Sequence, residues 1–425
     1  MKKFLRILLA AGFASLLGVA VVFLYLSPKG ETIKEEESIL TEEPEQVASE
    51  QVETEETVTD SRQSSTKPAV VKEIHIAGLK AQRLSADQIV IERSDDQDGL
   101  ISSYIVQKYD NRNDNREHLW INVGEVSTGD HSRGNPYTFT DKLESSEPQQ
   151  YVYRVLPQFR DESVYVAADD PGILCSNVKI CIDPGHYAGK NEAGDGYAEG
   201  DFTLNLALEL KNLLEAEYGI TVCMTRDSGS ISIGGYKDAA LDNGHISLRG
   251  TYAAEEGCDL FVSVHTNANE ENANGAGTFE QPVSIDKPII IANDLVLDSG
   301  QLCDVCNAVG QNLAQTSYQL GISSHKAFTE VSGGRAAEWT TAYNDSTTEQ
   351  GAVVCRHGSH GQYYGVLRGA EEAGVPGIII EHGYHTVEQM RKAAMNGELK
   401  AIWADADAKG IAAGFGFHNY TNEEK

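Results

Sequence analysis

The chain has 425 residues, which is enough for about two or three domains with their own hydrophobic cores. It carries 64 acidic and 34 basic residues, so its formal net charge at pH 7 is -30. A chain this acidic repels polyanions, which excludes nucleic acid as a partner.

The N-terminus is predicted to be a single-pass membrane anchor. Basic residues within residues 1–6 precede an unbroken apolar run over residues 7–26. At about 1.5 Å per residue, this run matches the roughly 30 Å hydrocarbon core of a bilayer. The positive-inside rule puts residues 1–6 in the cytoplasm and the rest of the chain outside the cell. The run ends in bulky residues that are poor for signal-peptide cleavage, so anchoring in the cell membrane is favoured over secretion after cleavage.

Residues 27–70 are predicted to be a linker. They are rich in Glu and Thr and show no hydrophobic periodicity. Such a composition cannot bury a core and repels itself. We therefore expect an acidic, disordered stalk.

Between residues 71 and 170 the pattern changes to short runs with period-two alternation. Such runs are residues 89–91, 104–109, 119–123, 137–141 and 151–155. Several short strands separated by turn-rich segments predict a small all-β sandwich. The order of the runs resembles a fibronectin type III-like module. We interpret it as an inert spacer, with binding to wall glycans or to a partner protein as the alternative.

Two later apolar runs each end in a histidine. Residues 180–186 end in His186, and the run that begins at residue 261 leads to His265. Open α/β sheets bind ligands at the carboxyl ends of their strands. Glu199 lies between the two histidines in sequence, and two imidazoles with one carboxylate are a common catalytic zinc set. The sequence therefore predicts that His186, Glu199 and His265 converge on one metal.

A helix is predicted directly after Glu199. Residues 202–214 have apolar residues at helical spacing, and Asp201 lies near the start. A carboxylate at a helix start offsets the helix dipole, so Glu199 taken alone could be purely structural. A strand over residues 220–226 and a helix over residues 248–254 follow. This alternation predicts a layered α/β domain.

A last apolar strand is expected over residues 375–384, with Glu381 near its end. A glutamate that terminates a buried strand is costly unless it is solvated, paired or beside a cation. An exposed strand end is the alternative. Glu381 is therefore a candidate site residue.

Four of these segments together resemble the zinc-dependent N-acetylmuramoyl-L-alanine amidases. That family has a DxGHGG start, a Glu before the first helix, a SIHxNA strand and a late strand with ExGF. Here the corresponding residues are 183–186, 199–201, 263–268 and 380–384. The order and spacing of all four make the resemblance specific.

The resemblance implies the fold and the site of residues 175–418. The expected fold class is α/β, a mixed sheet flanked by helices, preceded by the small all-β sandwich. Zinc would be bound by His186, Glu199 and His265, and Glu381 would be the catalytic carboxylate.

The activity that the resemblance implies is hydrolysis of the amide between N-acetylmuramic acid and the L-Ala of the stem peptide. Zinc-activated water would attack, and peptidoglycan would be the substrate. A regulatory protein is a further expected partner, because an unregulated wall hydrolase is lethal. Two alternatives stay open: an inactive or regulatory wall-binding protein on the same fold, and a zinc peptidase that cleaves another wall bond, since the ligand set does not choose the substrate.

The chain also departs from the family pattern. Residues 270–360 are longer than the family core needs, and we expect an insertion that shapes or occludes the substrate groove. His357 and His360 within it could form an extra metal pair, although a mobile polar loop is favoured. Candidate substrate-binding residues are Asn267, Arg249 and His382.

The seven cysteines are scattered, and they include a lone CxxC pair, Cys303 and Cys306. A zinc knuckle would need a second pair nearby. The pair lies in a predicted helix, so we interpret both residues as core thiols.

Overall fold

The structure is a computed structural model that describes residues 78–93, 99–110, 120–129, 135–161, 172–268, 289–319, 346–350, 353–359, 361–385 and 388–419. The predicted anchor and acidic linker lie outside the described residues. Within those described ranges, no helix is long and apolar enough to cross a membrane. The chain divides into two units at residue 70, and the fold below belongs to the second unit.

The first part of this unit is an antiparallel β-sandwich. Its strands are β1 (Lys80–Ser85), β2 (Gln88–Arg93), β3 (Ile101–Tyr109), β4 (Trp120–Ser127), β5 (Tyr137–Lys142), β6 (Gln150–Phe159) and β7 (Ile173–Ser176). One sheet has the order β1-β2-β5 and the other β4-β3-β6-β7. Ile89 and Ile91 of the first sheet share a core with Tyr104 and Val155 of the second. The predicted sandwich is confirmed.

The sandwich extends beyond the predicted boundary at residue 170. Strand β7 pairs with β6, and the next strand begins at Lys179. Arg83 of β1 donates to the carbonyls of Asn177 and Gly257 at 2.8 and 2.7 Å, and to Asp259 Oδ1 at 2.8 Å. The sandwich therefore lies directly against the domain that follows it.

The second part is a layered α/β domain. Its strands are β8 (Lys179–Pro184), β9 (Thr221–Met224), β10 (Ser232–Ile233), β11 (Tyr236–Lys237), β12 (Leu260–Asn267), β13 (Ile289–Ala292), β14 (Ser346–Gln350), β15 (Val353–Gly358), β16 (Gly361–Gln362) and β17 (Gly377–Tyr384). Its helices are α1 (Glu199–Tyr218), α2 (Ala239–Gly244), α3 (Ser247–Glu255), α4 (Asp294–Asp298), α5 (Gly300–Gln319), α6 (Gly365–Glu372), α7 (Glu388–Met395) and α8 (Glu398–Gly414).

The main sheet has the order β14-β15-β13-β17-β12-β8-β9, and β16 pairs with β15. Strands β9, β8, β12 and β17 are parallel to one another. Strand β13 is antiparallel to β17 and parallel to β15. Strands β13 and β15 therefore run in the direction opposite to β17. The predicted mixed sheet is confirmed.

Helices cover both faces of the sheet because strand side chains alternate. Ile180 and Ile182 of β8 face a core built with α1, α5 and α8, whereas Cys181 between them faces α3 and α6. Both faces are therefore buried, as the near-continuous apolar runs of β8, β12 and β17 predict.

The stretch over residues 270–360, predicted as an insertion, contributes to the main sheet and its core. Strand β13 pairs with both β17 and β15, and Val309 and Leu313 of α5 are fully buried in the core. Much of this stretch therefore belongs to the domain itself. Cys303 and Cys306 are buried in α5, as expected for core thiols.

Candidate metal centre and active site

Three parallel strands bring the predicted site residues to one edge of the sheet. In β8, Pro184 lies beside Val264 of β12, so His186 and His265 emerge next to each other. In β17, Glu381 lies beside His265. The sequence predicts this meeting because each residue terminates its own apolar strand.

His186, Glu199 and His265 form one cluster. Nε2 of His186 lies 3.2 Å from Glu199 Oε2, and Nδ1 of His265 lies 3.1 Å from Glu199 Oε1. One ligand atom from each residue lies within 4.8 Å of the other two. The group can therefore hold one metal ion.

Glu199 occupies the first position of α1, but its carboxylate is not a simple helix cap. The residue is 1% exposed, and Oε1 accepts a hydrogen bond from the Thr266 backbone N–H at 2.9 Å. Asn191 Nδ2 donates to Oε2 at 2.7 Å. Burial alone would raise its pKa, but hydrogen bonds and charges from His186 and His265 hold the pKa of Glu199 well below its usual range. Glu199 is therefore a buried carboxylate anion that can bind a metal together with the two imidazoles.

His186 is held in an unusual backbone conformation. Its φ is 60°, in the left-handed region that few side chains other than Gly adopt. Asp242 Oδ2 lies 3.4 Å from Nδ1, which leaves Nε2 facing Glu199. Burial lowers the pKa of His186, but hydrogen bonds to Asp242 and Glu199 outweigh it and raise that pKa to about 9. A carboxylate behind a histidine fixes the ring orientation that metal binding needs.

Arg249, a substrate-binding candidate from the sequence, is buried instead, with 1% of its surface exposed. Its Nη1 donates to Asp183 Oδ1 at 2.8 Å, and its Nη2 donates to Asp242 Oδ1 and to the His186 carbonyl at 2.8 Å each. Because protein acceptors occupy the guanidinium, Arg249 holds the His186 loop rather than a ligand. This placement corrects the prediction.

His382 is the second correction among the substrate-binding candidates. It is 1% exposed, and Nε2 donates to Asp407 Oδ2 at 2.7 Å. Nδ1 donates to the His265 carbonyl at 3.2 Å. The side chain therefore supports the strand that carries His265 and does not face a substrate.

Glu381 lies beside the cluster with a carboxylate oxygen unused. Its Oε2 is buried and has no hydrogen-bond partner among the residues that the structure describes. Burial is the main cause that raises the pKa of Glu381 to about 7, although the nearby His265 lowers it. A carboxyl group with a pKa near neutral can exchange protons at physiological pH.

Asn267 is partly buried at the end of β12, and its Oδ1 accepts from the Ala268 backbone N–H at 2.8 Å. Its position at the sheet edge is compatible with substrate binding, which stays a prediction.

Some site residues were missed by sequence reasoning. His385 Nδ1 lies 3.9 Å from Glu199 Oε2 and 3.0 Å from Thr266 Oγ1, and its ring stacks on Tyr197. Asp242 lies far from His186 in sequence, so no local pattern marks it. His385 lies one residue beyond the last motif, which ends at residue 384, so its position close to Glu381 in sequence was the available signal.

The fit of the cluster to a metal rests on two observations. Two imidazole nitrogens and a carboxylate are donors that bind transition metals. The orphaned oxygen of Glu381 is buried at a polar site, which is costly unless a cation or bound water offsets it. The residues present therefore fit a metal ion with a general base beside it.

Known sequences match the part of the chain that contains His186, Glu199, His265 and Glu381. A family profile described as N-acetylmuramoyl-L-alanine amidase matches residues 180–413, more than half of the chain. The sporulation-specific N-acetylmuramoyl-L-alanine amidase of Bacillus subtilis (strain 168) is 35% identical over 95 residues, which are 21% of this chain and 32% of that protein. The chain thus covers about a third of the length of this curated relative.

Solved structures also match part of the chain. The catalytic domain of CwlV, an N-acetylmuramoyl-L-alanine amidase from Bacillus (Paenibacillus) polymyxa var. colistinus, is 16% identical with a TM-score of 0.35, covering 56% of this chain and 97% of that one. The CwlD amidase of Clostridioides difficile, solved in complex with the GerS lipoprotein, is 18% identical with a TM-score of 0.37, covering 56% and 99%.

Proposed function

Since the chain belongs to the N-acetylmuramoyl-L-alanine amidase family, we propose that it hydrolyses the amide between N-acetylmuramic acid and the L-Ala of the stem peptide in peptidoglycan. The observation that carries this proposal is the meeting of His186, Glu199 and His265 beside Glu381 at one sheet edge. A metal-ligand set with one adjacent carboxyl group is what metal-assisted hydrolysis of an amide requires.

We propose Zn²⁺ as the metal, held by His186, Glu199 and His265. Three protein ligands are typical of catalytic zinc, which when bound polarises a carbonyl and makes water acidic enough to react near neutral pH. Two of the three side chains are already oriented, because Asp242 Oδ2 lies beside Nδ1 of His186 and the Thr266 backbone N–H donates to Glu199 Oε1.

Glu381 would be the general base and then the general acid. Its free Oε2 accepts a proton from the attacking water, whose oxygen bonds to the lactyl carbonyl carbon. As the C–N bond breaks, Glu381 returns the proton to the departing L-Ala amine. General acid–base catalysis of this kind contributes about 10²–10⁴-fold to the rate.

We further propose where the enzyme works and how it is controlled. Residues 7–26 would anchor the chain in the cell membrane, with the acidic linker and the catalytic domain outside the cell. This placement puts the site beside the wall. A regulatory protein would restrain the activity, because uncontrolled wall hydrolysis is lethal.

Mass spectrometry of purified peptidoglycan after incubation with the full-length protein tests the proposal. Intact stem peptides that begin at L-Ala should be released, the release should stop with a zinc chelator, and added zinc should restore it. Release of fragments cut within the stem would instead identify a zinc peptidase. No release by a zinc-loaded protein, together with binding to the wall polymer, would support the non-catalytic alternative.

A further inference from the structure

A second cluster of metal-ligating side chains lies beside strands β13 and β15 of the main sheet. It consists of Asp294, the first residue of α4, with Cys355 and His357 of β15. Nε2 of His357 lies 2.9 Å from Asp294 Oδ2 and 3.6 Å from Cys355 Sγ. The Cys355 Sγ lies 3.3 Å from Asp294 Oδ1. We propose that Asp294, Cys355 and His357 bind a second divalent metal ion, with zinc as the best-fitting one.

This cluster is separate from the catalytic candidate because of the strand directions. Strand β13 is antiparallel to β17, so Ile289 lies beside Glu381 and Ala292 lies beside Ile378. Asp294, which follows β13, is therefore at the sheet edge opposite Glu381. Strand β15 is parallel to β13, so its carboxyl end reaches the same opposite edge. The two clusters share no residue.

The distances match those between ligands around one small ion. With zinc bonds of about 2.0 Å to N or O and about 2.3 Å to S, tetrahedral geometry separates the ligand atoms by roughly 3.3–3.6 Å. The N–S and O–S distances in the cluster lie within this range, and the N–O distance is shorter by a few tenths of an ångström. Small side-chain rotations would admit the ion.

Donor chemistry selects the type of metal. A thiolate and an imidazole are soft and borderline ligands that suit Zn²⁺ and exclude Ca²⁺ and Mg²⁺, which require oxygen. On metal binding, the Cys355 thiol would give up its proton to solvent and bind as the thiolate.

The surroundings of the cluster favour a bound ion over an ordinary ion pair. Cys355 is fully buried, and Gln362 Nε2 donates to its sulfur at 3.5 Å, which would stabilise a thiolate. The side chains of Asp294 and His357 are 46% and 25% exposed, so solvent can supply the fourth ligand. An exposed ion pair alone contributes little to stability, whereas a metal would tie β15 to the start of α4.

Metal analysis of the full-length protein tests the proposal. After dialysis against zinc, the wild type should hold two zinc ions per chain. Cys355→Ser and His357→Ala should each hold one, His186→Ala should hold one, and a Cys355→Ser, His186→Ala double variant should hold none. The wild type and His186→Ala, loaded with Co²⁺, should show a near-ultraviolet thiolate-to-cobalt charge-transfer band that Cys355→Ser lacks.

A control variant separates Cys355 from the other close thiols. Sγ of Cys223 lies 3.2 Å from Sγ of Cys258, so Cys258→Ser should keep both zinc ions and the cobalt band if Cys355 is the ligand. Circular dichroism checks that each variant folds, and Asp294→Asn provides a milder change at a half-exposed position. One zinc ion per wild-type chain, lost in His186→Ala, with no cobalt band, would overturn the proposal and leave a hydrogen-bonded cluster. This result is independent of the amidase assay.

Discussion

Nε2 of His382 donates to Asp407 Oδ2 at 2.7 Å, and both side chains are completely buried. Nδ1 of the same ring faces the His265 carbonyl at 3.2 Å. Both partners are acceptors, so both ring nitrogens donate and His382 is an imidazolium. Burial lowers the pKa of His382, but the charge of Asp407 outweighs it and raises that pKa above the usual value. This ion pair ties α8 to the strands that carry His265 and Glu381.

Replacing Asp407 by Ala should leave the His382 imidazolium buried without its counter-ion. Loss of one partner from a buried ion pair costs about 3–5 kcal/mol in the free energy of unfolding. Urea denaturation would measure the change. Asp405→Ala is the matched control on the same helix, because its carboxylate pairs with the exposed Lys409 and should contribute at most about 1 kcal/mol. Equal losses of unfolding free energy in the two variants would show that the buried ion pair contributes no more than an exposed one.

Glu381→Gln should remove the proton acceptor while keeping the shape of the side chain. We expect the rate of stem-peptide release to fall by about 10²–10⁴-fold, with zinc content unchanged. Glu372→Gln, at an exposed position of α6, is the control and should keep the full rate. Full activity in Glu381→Gln would rule out its role as the base.

His186→Ala should lose the zinc of the catalytic cluster and the activity together, because it removes one of the three protein ligands of that ion. Zinc content and peptide release, measured on the same preparation, would check this. His245→Ala removes a histidine whose ring stacks on Tyr236, and it should change neither quantity. An active His186→Ala variant would show that catalysis does not use this metal site.

Asp183→Asn should weaken the framework beneath the site in a pH-dependent way. Asp183 is fully buried and accepts from Arg249 Nη1 at 2.8 Å and from Ser263 Oγ at 2.7 Å. Burial raises its pKa, but the charge of Arg249 and the hydrogen bonds lower it further, below the usual value. A lowered folded-state pKa gives stability that is present above the unfolded pKa of about 3.9 and is lost as pH falls through the folded value.

The gap in unfolding free energy between wild type and Asp183→Asn should therefore be constant near neutral pH and shrink below about pH 4. Urea denaturation between neutral and acidic pH would measure it. A gap that is independent of pH throughout would show that the charge of Asp183 contributes nothing and that only its shape matters.

The sequence predicts the positions of those site residues that stand at the end of an apolar strand. His186, His265 and Glu381 each terminate an apolar run, and parallel strands bring such ends together. Arg249 and His382 were misread because a polar residue beside a motif gives no sign of whether it points to solvent or into the core. Their burial depends on Asp183 and Asp407, which pair with them across long stretches of chain.

The sequence did not predict the strands beyond β17, namely β13, β15 and β14, for a different reason. Strand β13 is only the four residues Ile289–Ala292, and a short apolar run has the same pattern in a loop as in a strand. Only its pairing with β17 and β15 makes it central. The order of strands is decided by long-range packing, which local periodicity does not contain.

Gly185→Ala should disturb the metal site without removing a ligand. A Cβ at this position would overlap the His265 ring, because β8 and the ring approach too closely for any side chain. We expect His265 to be displaced and zinc affinity to fall, measured by competition with a chelator of known affinity. Gly300→Ala is the control, since a Cβ there meets no atom within 4 Å and α5 begins at that residue. Unchanged zinc affinity in Gly185→Ala would mean that the ring can move aside and that close packing against β8 does not orient this ligand.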